Sequence, residues 1–164
     1  MNVKKAVMTD IDQIMSLIGQ ATGEMQKNGI DQWDEIYPNK EVITGDISAG
    51  TLYKIILDKN IAGIIALNEE QPKEYQSLSW EDNSRRPIIV HRLCIHPQYQ
   101  GKGLAKQLMR FAEDYASNNK HSSIRLDTFS DNHIALKLYD SLKYQRVGYV
   151  KFIKGNFVCF EKII

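Results

Sequence analysis

Apolar positions along the chain switch between helical and alternating spacing, and the switches divide it into elements. Ile11, Ile14, Met15, Ile18 and Met25 recur at helical intervals behind Thr9-Asp10-Ile11-Asp12, which has the shape of a capping box with Asp12 in the acidic position. An amphipathic helix is therefore expected there, after a short first strand from Asn2 to Val7. The turn-rich stretch Gly29 to Pro38 ends that helix, and Asn39 caps a second, shorter one through Ile47 that Gly50 closes. Thr51 to Leu57 and Ile61 to Leu67 flank Asp58-Lys59-Asn60 and read as a hairpin. Asn68 to Arg86 is long, polar and without period, the mark of a loop.

A strand rich in Ile and Val starts at Ile88, and Leu104, Leu108, Phe111, Ala112 and Tyr115 then share one stripe of a third helix reaching about Asn118. Ser123 to Phe129 alternates as a strand beside the central one. Asn132 opens a fourth helix whose Ile134, Leu138 and Leu142 share a face. Tyr144 to Ile153 and Phe157 to Ile164, around Lys154-Gly155-Asn156, predict a closing hairpin. No repeat, low-complexity run or linker divides the chain, so a single α/β domain over residues 1–164 is expected, with a mixed, mostly antiparallel sheet.

Composition narrows the classes. A chain of 164 residues buries roughly 70% of its unfolded surface in one core. Its 21 Lys and Arg against 20 Asp and Glu leave no basic excess to hold a nucleic-acid backbone or an anionic membrane surface. Cys94 and Cys159 lie in apolar, strand-like runs without metal-ligand spacing and read as small core residues, with no metal site expected. The N-terminus has no apolar leader and no run approaches the ~20 apolar residues of a membrane span, so a cytoplasmic protein is expected.

The stretch with the most chemistry runs from Ile88 to Lys106. It delivers a strand, then His96-Pro97 and Gln98-Tyr99-Gln100-Gly101-Lys102-Gly103, directly onto a helix N-terminus. Such a turn directs unpaired backbone N–H groups and the positive end of the helix dipole into one small volume. Gly101 and Gly103 allow a turn closed to other residues and leave room for a bulky anion against the amides, and Lys102 adds charge. A plain turn with a charged tip is the competing description.

Gln98 to Gly103 resembles the Q/R-x-x-G-x-G/A signature of the GNAT superfamily of N-acetyltransferases. A second block, Asn132-His133-Ile134-Ala135-Leu136-Lys137-Leu138-Tyr139 followed by Leu142 and Gly148, is similar to that family's N-x-x-A-x-x-L-Y-x-x-x-G-F segment, with Lys143-Tyr144 in place of Gly-Phe. The resemblance covers Ile88 to about Val150. It implies an α+β fold of about six to seven strands and about four helices, with central parallel strands that splay apart.

It also implies an acetyl-CoA-dependent transferase in which a primary amine, on a small molecule or a peptide N-terminus, attacks the thioester directly within a ternary complex. On that resemblance, Gln98, Gln100, Gly101, Lys102, Gly103, Leu104 and Ala105 surround the pyrophosphate. The backbone of Leu93, Cys94 and Ile95 runs along the pantetheine arm, Asn132 contacts that arm or a nearby water, and Tyr139 assists the departing thiolate. His91, with an unperturbed pKa near ~6.5, is the first candidate for the base, ahead of Glu69, Glu70 and His133. Trp33 and Tyr37, in the connection that commonly borders the acceptor in this family, and Glu69 in the long loop are the candidate substrate contacts. From the residues alone, Trp33 and Tyr37 read more readily as plugs of the core, and the loop acids equally as a solvated insertion.

Two readings from other classes compete. A dinucleotide fold needs a third glycine where Lys106 stands. An acyl-CoA-binding sensor of the same fold would bind without turnover. The identity of the amine and assembly as a monomer or homodimer are left open by the sequence.

Overall fold

The computed structural model describes residues 2–84 and 86–164; Met1 and Arg85, the latter within the loop expected from 68 to 86, lie outside the described residues. Seven strands are described: β1 Val3–Lys5, β2 Leu52–Leu57, β3 Asn60–Asn68, β4 Pro87–Ile95, β5 Ser123–Phe129, β6 Gln145–Phe152 and β7 Gly155–Ile163. The four helices are α1 Ile11–Lys27, α2 Lys40–Ser48, α3 Leu104–Asn118 and α4 His133–Ser141. Strand order in the sheet is β1-β2-β3-β4-β5-β7-β6. The β4–β5 pair is parallel and the β1–β2, β2–β3, β5–β7 and β6–β7 pairs are antiparallel, which gives the mixed, mostly antiparallel sheet expected. The chain forms two compact units, Met1–Leu67 with His91–Phe111, and Asn68–Val90 with Ala112–Ile164.

In the first unit, Ile11, Ile14, Leu17, Ile18 and Ala21 of α1 pack with Ile43 and Ile47 of α2 and with Leu52, Ile61, Ile64 and Ala66 of the hairpin. Removing such surface from water contributes about 25 cal/mol per Å² of apolar area. The start of α1 differs from the capping box expected. The carboxylate that accepts the Val7 N–H, at 2.8 Å, belongs to Asp10, which also takes Lys54 Nζ at 2.6 Å. Asp12 is 91% exposed and, among the described residues, pairs with Lys40 at 3.4 Å. At α2 the expected cap holds, with Asn39 Oδ1 accepting the Val42 N–H at 3.0 Å. The hairpin turns through Asp58 and Lys59 at φ 50 and 66, the left-handed pair that a two-residue connection requires. Gly63 on β3 carries no side chain for a packing reason: a Cβ there would lie 2.5 Å from Ile95 Cδ1 and 2.9 Å from the Cys94 carbonyl oxygen.

In the second unit, β4 and β5 pair from Pro87–Ser123 to Ile89–Arg125, and both strands run on, β4 to Ile95 and β5 to Phe129. β5 pairs with β7 along its length, Ser123–Ile163 to Phe129–Phe157. On α4 the buried residues are Leu136 and Tyr139, while Ile134 is 69% exposed. The expected apolar face was misplaced because Ile134 is an outward residue near the helix start. Lys143 and Tyr144 keep the turn that the Gly-Phe of the resembled pattern would make. Lys143 adopts φ 66, and Tyr144 N–H returns to the Tyr139 carbonyl at 3.1 Å.

Of the loop expected from Asn68 to Arg86, residues 68–84 form a strap fastened by buried polar groups. Arg125 and Glu161 pair at 3.1 Å with 8% and 3% of their side chains exposed. Arg125 also donates to Gln71 Oε1 and to the Asp82 carbonyl, each at 2.7 Å, and its guanidinium lies 4.3 Å from the Trp80 ring. Glu161 accepts the Glu81 N–H at 2.7 Å. Asp82 accepts the hydroxyls of Ser122 and Ser123 at 2.5 and 2.6 Å, and these bonds hold its carboxyl well below the usual range. The strap is therefore neither a solvated insertion nor a simple acidic patch.

Candidate active site

The cradle assembles within the first unit from local bonds. The His96 ring Nδ1 accepts the Gln98 N–H at 3.2 Å, Pro97 opens a 3-10 turn, and Tyr99 N–H closes on the His96 carbonyl at 2.8 Å. Gln100 folds back, its Nε2 donating to the Ile95 carbonyl at 3.3 Å. Gly101 and Gly103 sit at φ 75 and 76, a conformation costing other residues about 1–2 kcal/mol, and a Cβ on either would meet nothing within 4 Å. The glycines thus serve the turn and leave its outer face clear. Helix α3 begins at Leu104, the Gln107 N–H bonds the Gly103 carbonyl at 3.1 Å, and the first-turn N–H groups have no acceptor inside the helix. Buried Tyr99 supports the loop, with its hydroxyl accepting from Asn60 Nδ2 at 3.3 Å and Lys102 Nζ 5.1 Å from its ring. Exposed Gln98 and Lys102, open glycines and a helix start make a surface suited to phosphate oxygens.

His91, Leu93, Cys94 and Ile95 lie on the strand that feeds the cradle. Cys94 points into the core, and burial pushes its thiol up to about 12, so this position offers its backbone and no thiolate. Arg92, which the sequence reading passed over, takes φ 53 inside the strand. It makes a bidentate pair with Asp46 at 2.6 and 2.7 Å and donates from Nη1 to the Tyr37 hydroxyl at 2.8 Å. Asp46 and Tyr37 hold the guanidinium pKa above its ordinary value against the opposing effect of burial, which is the largest single influence. Of the two aromatics proposed to meet the acceptor, Tyr37 is 42% exposed, whereas Trp33 is 5% exposed among the α1 and α2 residues of the core. Trp33 is therefore a packing residue, placed there because an indole so close to the α1–α2 contact buries most area by turning inward.

In the second unit, Asn132 Oδ1 caps α4 by accepting the Ala135 N–H at 3.1 Å. Tyr139 stands two turns along the same helix, 5% exposed, with its ring against Phe160 and Tyr144. Its hydroxyl has no hydrogen-bond partner among the described residues. Burial, and after it the charge of Asp127, raises the phenol well above its ordinary value, so it stays protonated at neutral pH. Asp127 on β5 is the group that sequence reasoning missed. Burial pushes its carboxyl up to about 6, and Tyr75 donates a 2.6 Å hydrogen bond to its Oδ2. The only sequence signal was an acid in an otherwise well-patterned strand. Glu69 is 63% exposed and sits 3.7 Å from His121 Nδ1.

The proposed cofactor strand, the cradle and Tyr37 thus fall in one unit, and Asn132, Tyr139 and Glu69 in the other. Among the described residues no group of three or more His, Cys, Asp or Glu could hold a metal ion, and no helix is long and apolar enough to cross a membrane.

Comparison with known proteins matches this geometry to a family. The acetyltransferase (GNAT) family profile matches residues 20–144. The uncharacterised N-acetyltransferase YesJ of Bacillus subtilis is 25% identical over 87% of this chain and 81% of its own length. The N-alpha-acetyltransferase RimI of Mycobacterium tuberculosis is 32% identical over 73% and 66%. A crystal structure of a GNAT-family acetyltransferase from Streptococcus agalactiae superposes with a TM-score of 0.87 at 31% identity, covering 99% of this chain and 94% of that one. With its glycine cradle, buried phenol and sheet order, this chain belongs to the GNAT acetyltransferase family and is an acyltransferase whose donor is acetyl-CoA.

Proposed function

We propose that the chain transfers the acetyl group of acetyl-CoA to a primary amine, of a small molecule or a peptide N-terminus, by direct attack in a ternary complex. The observation that carries the reading is a matched set of groups in the second unit: a carboxyl whose pKa burial raises to about 6, and a phenol held protonated by burial and by the charge of that carboxyl. Two titratable groups whose environments fit them for opposite proton roles mark acid–base chemistry. Both cysteines have thiols pushed up to about 12 by burial, which supports direct attack over an acyl-cysteine intermediate.

In this reading the amides and glycines of Gln98 to Ala105 hold the pyrophosphate, and the Leu93 to Ile95 backbone lies along the pantetheine arm; Asn132 is the contact that the second unit offers to that arm. Tyr37, held by Arg92, is the acceptor contact that the first unit offers, and exposed Glu69 the one that the second offers. The amine nitrogen bonds the thioester carbon and its proton passes to the base. The C–S bond then breaks, leaving a thiolate. Because the Tyr139 phenol is a weaker acid than an ordinary thiol, it stabilises that thiolate as a hydrogen-bond donor more than by full proton transfer. For the base, His91 on β4 was the expectation from sequence; Asp127 is favoured because desolvation places its pKa near neutrality.

Thiol release from acetyl-CoA across a panel of amino acids, polyamines, aminoglycosides and peptide N-termini tests the function. Amine-dependent release with formation of the acetylated amine supports it. Tight acetyl-CoA binding without release on any amine supports the sensor reading and overturns this one.

A further inference from the structure

We propose that Tyr75 is a positioning residue for the Asp127 carboxylate, and that the strap of residues 68–84 serves to deliver it. The proposal rests on Asp127 as the base. Tyr75 is 2% exposed although it comes from a polar segment without periodicity. Its hydroxyl donates to Asp127 Oδ2 at 2.6 Å. Burying a phenol costs free energy unless the O–H finds a partner, and Asp127 is that partner.

The strap holds Tyr75 by contacts independent of that bond. Trp80 Nε1 donates to the Tyr75 carbonyl at 2.8 Å and its ring lies 4.9 Å from the Tyr75 ring. Trp80 is in turn seated on Arg125, which is locked to Glu161. Asp82 closes the strap on Ser122 and Ser123. Such a frame fixes one phenol oxygen and, through it, the plane of one carboxylate: Oδ2 is engaged and Oδ1 is left as the proton acceptor.

The groups that face Asp127 define the expected behaviour. Tyr75 lowers its pKa by donating to the charged form, and Glu74 from the same 3-10 turn raises it, as does burial. Tyr139 on α4 and Cys159 on β7 feel its charge as a rise in their own pKa values, and Arg125 acts on Tyr75 in the opposite sense. Loss of the Tyr75 hydroxyl therefore leaves burial and Glu74 less opposed.

The experiment is the pH profile of kcat/KM for one fixed amine in wild type, Tyr75→Phe and Asp127→Asn, with acetyl-CoA affinity measured on each. With the same acceptor throughout, the acceptor's own titration cancels. Tyr75→Phe is expected to move the acid limb up by about one pH unit, up to about a tenfold loss at low pH and little above pH 8, with acetyl-CoA affinity retained. Should Tyr75→Phe fail to fold, Trp80→Phe, which keeps a ring and loses the N–H that ties down Tyr75, is expected to shift the limb the same way by less. An unmoved acid limb in a folded variant, while Asp127→Asn loses activity, overturns the role of Tyr75 alone. An Asp127→Asn enzyme with wild-type activity and limb overturns the assignment of the base and this proposal with it.

Discussion

The cradle and the Tyr75–Asp127 cluster solve different problems with different material. The cradle is made of backbone: two left-handed glycines, a capped 3-10 turn and a helix start, all within about ten residues of each other. The cluster is made of side chains taken from far apart. Tyr75 and Asp127 are separated by 52 positions, and Glu81 and Glu161 by 80. A backbone site binds a fixed charge shape and needs conformations that only particular residues allow. A side-chain site tunes protonation and needs burial, which tertiary packing alone supplies. Binding should therefore fail when the turn is altered, and chemistry when the buried groups are.

The largest effect is expected at the cradle. Gly103→Val places a β-branched residue at φ 76 and fills the clear outer face of the turn. Acetyl-CoA binding, followed by calorimetry, should be lost, while circular dichroism shows the fold retained; unchanged affinity in a folded variant would move the anion site elsewhere.

Asp127→Asn separates activity from stability. The folded pKa, about 6, is raised above the ordinary carboxylate value of 3.8. The native state thus favours the protonated form. Stability from this group is fully present below the unfolded pKa and declines as pH rises from about 4 to about 6, by at most about 3 kcal/mol. The amide variant should lose about 10²-fold or more in kcat, yet melt at or above the wild-type temperature at pH 7.5 and lose that advantage at pH 4. A lower midpoint at both pH values would count against a strained buried carboxylate.

Arg125→Met strikes the strap without touching either titrating group. Removing one member of a buried pair costs roughly 3 kcal/mol, on the order of 10 °C in thermal midpoint for a chain of this size. Proteolysis within the strap should accelerate at the same time, and a midpoint unchanged within 2 °C would show that Glu161 is satisfied by the strap amides alone. The smallest effect is expected at Lys143, which holds φ 66 after α4. Lys143→Gly relieves a left-handed non-glycine residue and should raise stability by roughly 0.5–1 kcal/mol in urea unfolding; a loss would mean that the lysine side chain contributes more than the strain costs.

The same contrast explains what the sequence disclosed. Elements with strong periods, α1 and α3, and turns that demand special residues, Gly101 and Gly103, were legible because their physics is local. The helix α4 was found but its buried face was misjudged, since Ile134 is apolar yet 69% exposed and Leu136 and Tyr139 turn inward. The strap looked like a solvated acidic loop because nothing in Asn68 to Arg86 announces that Arg125 and Glu161 wait on two strands to receive it. Trp33 turns inward as the core-plug reading of that segment expects, while Tyr37 stays exposed, and nothing local marked Arg92 for its pairing with Asp46 and Tyr37. Asp127 was visible only as one acid in a strand, and its raised pKa exists only once the chain is packed around it.

The central claim is that the second unit supplies the chemistry, and Tyr139→Phe tests it most directly. The variant keeps the ring against Phe160 and Tyr144 and removes only the hydroxyl. Measured on one enzyme preparation, acetyl-CoA affinity and thermal midpoint should match wild type while kcat for amine-dependent thiol release falls by about 10²- to 10³-fold, the loss typical of one transition-state donor. A folded Tyr139→Phe enzyme with undiminished kcat, in which single-turnover kinetics show chemistry to be the slow step, would contradict the account and make Tyr139 a packing residue.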